Sequence, residues 1–434
     1  MDGKVLVSQL KKLRDVNRAK DIKQLTHSVF PGPHCPLFGA MLAIRSIDDA
    51  YMLVVGTEEC TYYTKSTTMN PMFGGFTSRC YSVVMNHHDV TFGSHTKIEK
   101  AFEELVEELN NMTAPKAVFL VSTCLGEIIG DDIDAMAADF SEKYGIHVVP
   151  VHTEHFKSES HMPGIANSIS ACLHMMKGVA KGDTVNVLGQ RMGSFNSTEL
   201  FRVLTKAGVR AGMALPGGCS VAQIEQAACA KVNIVVDGTA LNLAKGMQEK
   251  FGTPYVLFER FVAPDDILYA YGELFRYLNL PLPDEVSALH KKTVQLVADA
   301  KPNLADIRYI YGNTPLPIYE FNAFMISVGM IPELIQTVEL PEKPHKHLDY
   351  ILENSDPYVV KTANIAPLQY VYDELQPHLY LGHEYAERLR QKGISLVRSD
   401  RAAMMLGYEV TDFILKELQR ASAESKELKK ERII

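Results

Sequence analysis

Cys35, Cys60 and Cys124 are the residues of this chain with the type and setting to do chemistry. They lie in the segments Pro33-His34-Cys35-Pro36-Leu37, Gly56-Thr57-Glu58-Glu59-Cys60 and Ser122-Thr123-Cys124-Leu125-Gly126. Each stands where a strand is expected to run into a loop, with proline beside Cys35 and glycines near all three. Thiolates are soft ligands that suit iron, and a bulky inorganic core needs ligands on backbone that can bend around it. The setting suggests three thiolates converging on one iron–sulfur cluster. Spacing alone says less. The nearest pair among the seven cysteines is Cys219 and Cys229, so the C-x-x-C of a ferredoxin, zinc ribbon or thioredoxin is missing. A lone cysteine in an α/β core is usually a small buried hydrophobe.

The elements that must hold these residues are legible as short apolar runs followed by helical patterns. The runs are Tyr51–Val55, Ala117–Val121, Val185–Leu188, Val232–Val236, Tyr255–Phe258, Ile307–Tyr311 and His378–Leu381. Continuous runs of this kind predict parallel strands buried on both faces, joined by helical crossovers. The fold class is therefore α/β, with three Rossmann-like doubly wound parallel-sheet domains. Lys177-Gly178 to Asp183, and the stretch from Pro281 through Pro302, carry the glycine, proline and charge of connections. They divide the chain into a cluster-binding domain over 30–178, a second domain over 179–285 and a third over 300–420. A helical extension over 1–29, with its helix reaching about Lys23, and a charged tail over 421–434 are expected to pack outside them.

Composition limits the function. At 434 residues, 46% hydrophobic and 22% charged, the chain can bury more than one core. Seven scattered cysteines do not make a disulfide framework, and Met1-Asp2-Gly3-Lys4 lacks the apolar core of a secretion signal, so a reducing cytoplasm is expected. No apolar run nears the roughly 20 residues of a membrane span. With 44 basic and 52 acidic residues the net charge is −8, and the basic residues near the end alternate with Glu427 and Glu431 as on a solvated helix face; nucleic acid is not expected as a partner. No G-x-x-x-x-G-K-[ST] phosphate loop is present, so ATP is not expected to bind here. Gly189-Gln190-Arg191-Met192-Gly193 follows a strand but lacks a full G-x-G-x-x-G, and reads as a strand-to-helix turn rather than a dinucleotide site. Asp131-Asp132 reads as a helix cap rather than an acid–base pair.

The local sequences add a resemblance. Cys35-Pro36-Leu37-Phe38-Gly39-Ala40, Gly56 to Cys60 followed by Tyr62-Tyr63, and Ser122-Thr123-Cys124 through Ile129-Gly130-Asp131-Asp132 closely resemble, in this order, the three cluster-binding segments of the nitrogenase component 1 family. Val90-Thr91-Phe92-Gly93-Ser94 before an acidic helix, and Leu406-Gly407-Tyr408-Glu409 near the end, resemble further elements of it, the latter of its beta-type chains. The resemblance implies that Cys35, Cys60 and Cys124 ligate a cluster at a subunit interface, either an [8Fe-7S] P-cluster or a [4Fe-4S] cluster. Three thiolates cannot saturate four irons, so a second component-1-type subunit, the same chain or a different one, is implied across the cluster. His155 falls where beta-type chains carry a serine near the P-cluster and is a further candidate ligand; the alternative is a loop histidine bonded to backbone. Cys219, in Pro216-Gly217-Gly218-Cys219, is another candidate, against a thiol packed under a glycine turn.

The chain also departs from the family pattern. Where the alpha subunit of true nitrogenase holds its catalytic cofactor with a cysteine, the matching strand here ends in Asp237, and Gly393 to Asp400 carries no histidine. An aspartate is a hard oxygen ligand, unsuited to a sulfide-rich cofactor. The main expectation is a nitrogenase-like oxidoreductase subunit that takes low-potential electrons from an ATP-hydrolysing [4Fe-4S] iron protein and passes them to a reductive site. The alternative is a non-catalytic cofactor-assembly scaffold carrying a precursor cluster.

Overall fold

The computed structural model describes residues 2–25, 34–110, 115–158, 160–341, 343, 345–361 and 365–431. The apolar runs form the strands. All six residues of Ala117–Ser122 and all four of Val232–Val235 are buried, as strands covered on both faces must be. Three sheets result. The first has the strand order Cys80–Val84, Ala50–Gly56, Ala117–Ser122, His147–His152, all parallel. The second runs Arg210–Leu215, Thr184–Leu188, Val232–Val235, Tyr255–Leu257, again parallel. The third runs Lys11–Lys12, Tyr358–Val360, Ile331–Gln336, Arg308–Tyr311, Leu379–Leu381, Ser395–Val397. It is parallel except for Lys11–Lys12, which pairs antiparallel with Tyr358–Val360. The α/β class with three doubly wound parallel sheets is the fold.

Internal contacts group the chain into two compact units. One comprises Pro33–Phe195 and Gly208–Leu257, and the other Met1–Gly32, Asn196–Ala207 and Phe258–Ile434. The first unit contains the first two sheets, which share one apolar core: Met52 and Phe119 of the first belong to the same cluster as Leu188, Met213 and Val235 of the second. The second unit is built on the third sheet.

In this second unit three segments differ from expectation. Among the described residues the leading segment is α-helical only over Gly3–Ser8, with 3-10 turns at Leu13–Asp15 and Ala19–Asp21; Lys11–Lys12 joins the sheet edge. Lys11, Lys12 and Arg14 fall within the helix expected there, but main-chain pairing to Tyr358 and Val359 prevails. The stretch expected as a connection is the 21-residue helix Asp284–Leu304, which carries Pro302 in its last turn and ends two residues beyond it. The charged tail is not separate: the helix Tyr408–Glu431 runs into it, burying Ala421, Ser422 and Ser425. Gly407 begins that helix at a positive φ of 97°, and a Cβ there would strike the Glu199 carboxylate and stand 2.9 Å from the Tyr271 hydroxyl. Glu409 accepts the Leu406 N–H at 3.1 Å and the Glu199 N–H at 2.9 Å. The Leu406-Gly407-Tyr408-Glu409 element thus works as a helix-start clasp.

Candidate functional site

Chain order defines where each sheet can open. In the first sheet the chain steps from Ala50–Gly56 to Cys80–Val84 on one side and then to Ala117–Ser122 on the other. The crevice beyond the carboxyl ends of Ala50–Gly56 and Ala117–Ser122 is therefore the topological switch point, where open α/β sheets bind ligands. Cys60 and Cys124 follow those two strands. Both lie in first turns of helices, Glu58–Thr68 and Cys124–Ile129, rather than in open loops. Val55 pairs with Ser122 in register, and the Thr123 hydroxyl donates to the Val55 carbonyl at 2.9 Å. Its oxygen lies so close over Gly56 that a Cβ would collide with it, so the two strand ends stay in contact.

Cys35 comes from a different element. It is the N-cap of helix Pro36–Ile44. That helix crosses helix Met162–Ala171 with backbones touching: a Cβ at Gly164 would collide with the Pro36 carbonyl, and one at Gly39 with that of His161. The crossing fixes the start of helix Pro36–Ile44, which Cys35 caps. Burial pushes the Cys35 thiol up; the backbone N–H groups of Phe38 and Leu37 oppose this, and the charges of Cys60 and Cys124 reinforce it. Cys60 and Cys124, named with it from sequence, thus lie within electrostatic reach of Cys35.

Around them, His34 stacks on Phe38 with ring centroids 3.9 Å apart, and its Nδ1 is 2.7 Å from the Tyr63 hydroxyl. The Tyr63 phenol is pushed up to about 12 by burial, with the Cys35 charge adding to it. His161 sets its ring edge to Phe38 and is lowered to about 4 by burial, aided by Arg191 and His34, so it is neutral.

His155 reaches the site by its main chain, not its ring. The exposed residue donates its backbone N–H to Cys124 Sγ at 3.1 Å. Cys219 is not gathered with the three. It is 1% exposed in the shared core, its thiol pushed up to about 12 by burial with Asp48 and Asp49 adding, and it also raises buried Cys172. The reading as a packed core thiol describes its placement. Asp132 caps helix Ile133–Tyr144 through the Ala135 N–H at 3.0 Å, as expected. Asp131 instead takes the Ser94 hydroxyl at 2.5 Å, fixing the start of helix His95–Asn110.

Sequence reasoning missed one polar network. His152, at the end of the strand beside Ala117–Ser122, has Nδ1 2.7 Å from Glu127 and Nε2 3.0 Å from Asp134, and Ser122 also donates to Glu127. The hydrogen bond to Glu127 raises His152 to about 9. Glu127 lies below the usual carboxylate range, because the His152 and Ser122 hydrogen bonds outweigh its burial. The available signal was the spacing from Cys124 to Glu127, one helical turn, which places the carboxylate on the cysteine's face of the helix.

The other two switch points differ. In the second sheet, Thr184–Leu188 and Val232–Val235 lead to Arg191 and Asp237, which pair at 2.7 Å, while Asp237 also accepts the Thr239 hydroxyl at 2.6 Å. The carboxylate that stands in place of a cofactor cysteine is thus engaged within the protein. In the third sheet the backbones meet: a Cβ at Gly382 would lie 2.7 Å from the Asn313 main chain, and one at Gly312 2.7 Å from the Leu381 carbonyl. The pocket of about 330 Å³ beside it is lined by residues such as Tyr311, Asn313, Gln336 and Glu339, with no thiol or imidazole among its described residues. Soft donors therefore collect at the first sheet alone among the described switch points, and three sulfurs, two of them with N–H groups directed at them, fit an iron–sulfur group.

Fold and site together define a class: an α/β protein of three doubly wound sheets with a cysteine cluster at one strand-end crevice. Residues 35–421 match the sequence model of the nitrogenase component 1 type oxidoreductases, and the chain belongs to that family. It is 35% identical over 235 residues to the nitrogenase iron-molybdenum cofactor biosynthesis protein NifE of Clostridium pasteurianum, covering 51% of this chain and 49% of that one. It is 28% identical over 273 residues to the nitrogenase molybdenum-iron protein alpha chain of Methanosarcina barkeri, covering 60% and 49% respectively. The chain thus spans about half the length of these curated relatives. A solved structure of nitrogenase Cp1 at pH 6.5 superposes with a TM-score of 0.76 at 18% identity, over 96% of this chain and 97% of that one, and shares the fold. No described helix is long and apolar enough to cross a membrane.

Proposed function

We propose that this chain is a cofactor-assembly scaffold of the component 1 type, which takes a precursor iron–sulfur cluster on Cys35, Cys60 and Cys124 and hands it on. The observation that carries this reading is the contrast between strand ends. Cys60 and Cys124 follow strands of the first sheet and lie within electrostatic reach of Cys35, whereas Asp237, where the family resemblance puts a cofactor cysteine, is engaged by Arg191. A chain with a thiol site and no soft anchor for a catalytic cofactor suits carrying a cluster better than turning over a substrate on one. The relatives named as cofactor biosynthesis proteins support it. Three thiolates leave iron ligands to be supplied from outside the chain, so a second component-1-type subunit completes the seat. The free thiols call for a reducing compartment, the cytoplasm.

A second reading, the electron-relay subunit, is favoured by the His155 N–H on Cys124 Sγ, since hydrogen bonds to cluster sulfurs set reduction potential. An interfacial P-cluster or [4Fe-4S] cluster would supply one-electron storage, fed by an ATP-hydrolysing iron protein. Cys35, Cys60 and Cys124 would hold it, and His155 and the aromatic residues beside Cys35 would tune it and restrict water. Anaerobic transfer assays separate the two. A scaffold releases its iron and sulfide once, stoichiometrically, to an apo-acceptor of the family. Repeated reduction of a small substrate with an iron protein and ATP, without loss of iron, would overturn the scaffold reading.

A further inference from the structure

All seven cysteines fall in the unit of the first two sheets. The other unit holds a donor cluster of a different kind. Glu320 lies in the first turn of helix Ile318–Ser327, His345 is the N-cap of helix Lys346–Asn354, and His347 is the second residue of that helix. One carboxylate oxygen of Glu320 and one ring nitrogen from each histidine lie within 4.8 Å of one another. His345 Nε2 is 3.4 Å, and His347 Nδ1 4.0 Å, from Glu320 Oε1. The three side chains are 13–24% exposed.

Two observations separate this cluster from an ordinary ion pair. Nδ1 of both imidazoles is buried and has no hydrogen-bond partner among the described residues. A buried ring nitrogen with no partner is a costly arrangement; on His347 that nitrogen is the one facing Glu320 Oε1, whereas His345 faces it with Nε2. A lone pair at His347 Nδ1 is the form that ligates a metal. In addition, His347 Nε2 is 2.9 Å from Asp266 Oδ2, and Lys346 holds the other oxygen of Asp266 at 3.1 Å. A carboxylate on the far nitrogen of an imidazole fixes its tautomer and aims the near nitrogen, the usual support for a metal-binding histidine. With the Nε2 proton given to Asp266, His347 Nδ1 faces Glu320 with its lone pair free.

We propose that Glu320, His345 and His347 form a binding site for one divalent first-row transition ion, with Asp266 as the residue that positions His347. Two nitrogens and one carboxylate oxygen are a borderline donor set, suited to zinc, cobalt(II) or iron(II) rather than to a thiolate-held cluster. Ligands at about 2.1 Å from a tetrahedral zinc stand roughly 3.4 Å apart, a figure that the 3.4 Å and 4.0 Å separations from Glu320 match or approach. Three protein ligands leave a fourth position for water. The ion ties the start of helix Lys346–Asn354 to helix Ile318–Ser327.

Cobalt(II) added to the full-length protein reports on the site directly, because its visible d–d bands record tetrahedral coordination and its ultraviolet charge-transfer bands record thiolate. One equivalent of cobalt(II) is expected to bind with d–d intensity and without thiolate charge transfer. The spectrum should be unchanged when Cys35, Cys60 and Cys124 are all replaced by serine. His347→Ala and the near-isosteric Glu320→Gln should each weaken zinc binding, measured by competition with a chromogenic chelator, by at least about tenfold; Asp266→Asn should weaken it by about tenfold as well. The proposal is overturned if no d–d band develops at one equivalent, if the bands vanish with the three cysteines, or if zinc affinity is unchanged in folded Glu320→Gln.

Discussion

At the scale of single residues, the chain separates reactive from inert thiols by environment rather than by sequence motif. Cys124 has a backbone N–H directed at its sulfur, and Cys35 has two. Cys172 is fully buried, directs its thiol to the Ser168 carbonyl at 3.4 Å, and is raised well above the ordinary range by burial. Cys124→Ala should therefore strip iron from anaerobically purified protein, whereas Cys172→Ala should leave iron and sulfide content intact; equal iron in both variants would remove the ligand assignment. The His152–Glu127 pair gives a second residue-level expectation. His152 is raised from 6.5 to about 9 by its hydrogen bond to Glu127, so the stabilisation it brings is complete below about pH 6.5 and is lost as pH rises through about 9. Glu127 is depressed, so its share is lost on the acid side, as pH falls below the usual carboxylate range. His152 is 38% exposed and solvent screens the pair, so about 1 kcal/mol is expected rather than the larger figure the shift alone implies. Urea unfolding from pH 6 to 9.5 should show wild type losing about that much more stability than His152→Gln. Parallel curves would show that the pair contributes nothing to folding.

At the scale of elements, strand character was legible where both faces are covered and illegible at edges and interruptions. Ala117–Ser122 and Val232–Val235 declare themselves by unbroken apolar residues. Cys80–Val84 lies at a sheet edge with only Val83 buried, and Ile331–Gln336 carries Pro332 and Glu333 at its start, so neither shows the expected run. The cysteine segments were readable because thiols beside glycine and proline are conspicuous. The crossing beside Cys35 was not, since nothing in Met162-Pro163-Gly164 announces that Gly164 meets the Pro36 carbonyl on a helix far away in sequence. That contact yields a test at this scale. Gly164→Ala forces the two helices apart at the residue next to Cys35, at a cost of about 1–3 kcal/mol. It should lower the urea midpoint and iron content together, whereas Gly145→Ala, at a helix end with open space around it, should lower stability through backbone strain alone and keep iron. Full iron retention in folded Gly164→Ala would show that the crossing does not position Cys35.

At the scale of the whole molecule, the sequence disclosed the family through its cysteine segments. It did not disclose the Glu320, His345 and His347 cluster, because helix Ile318–Ser327 and the start of helix Lys346–Asn354 are brought together only by folding. Donor types are sorted between the units, with sulfur in one and this nitrogen and oxygen cluster in the other. The sorting has a consequence for assembly. A [4Fe-4S] core has four irons and the proposed seat supplies three thiols from this chain; an [8Fe-7S] core needs still more. A 48.3 kDa monomer should therefore not retain a complete cluster, and iron should travel with a larger species. Anaerobic size-exclusion chromatography with light scattering and iron analysis, on the chain alone or with a second component-1-type subunit, should place iron in fractions of at least twice that mass. Cys60→Ala should shift protein toward the iron-free monomer, since the shared core is then lost from the seam. Iron-replete protein eluting as a monomer would mean that the chain closes its own ligand set, and the second subunit would have no chemical reason to be there.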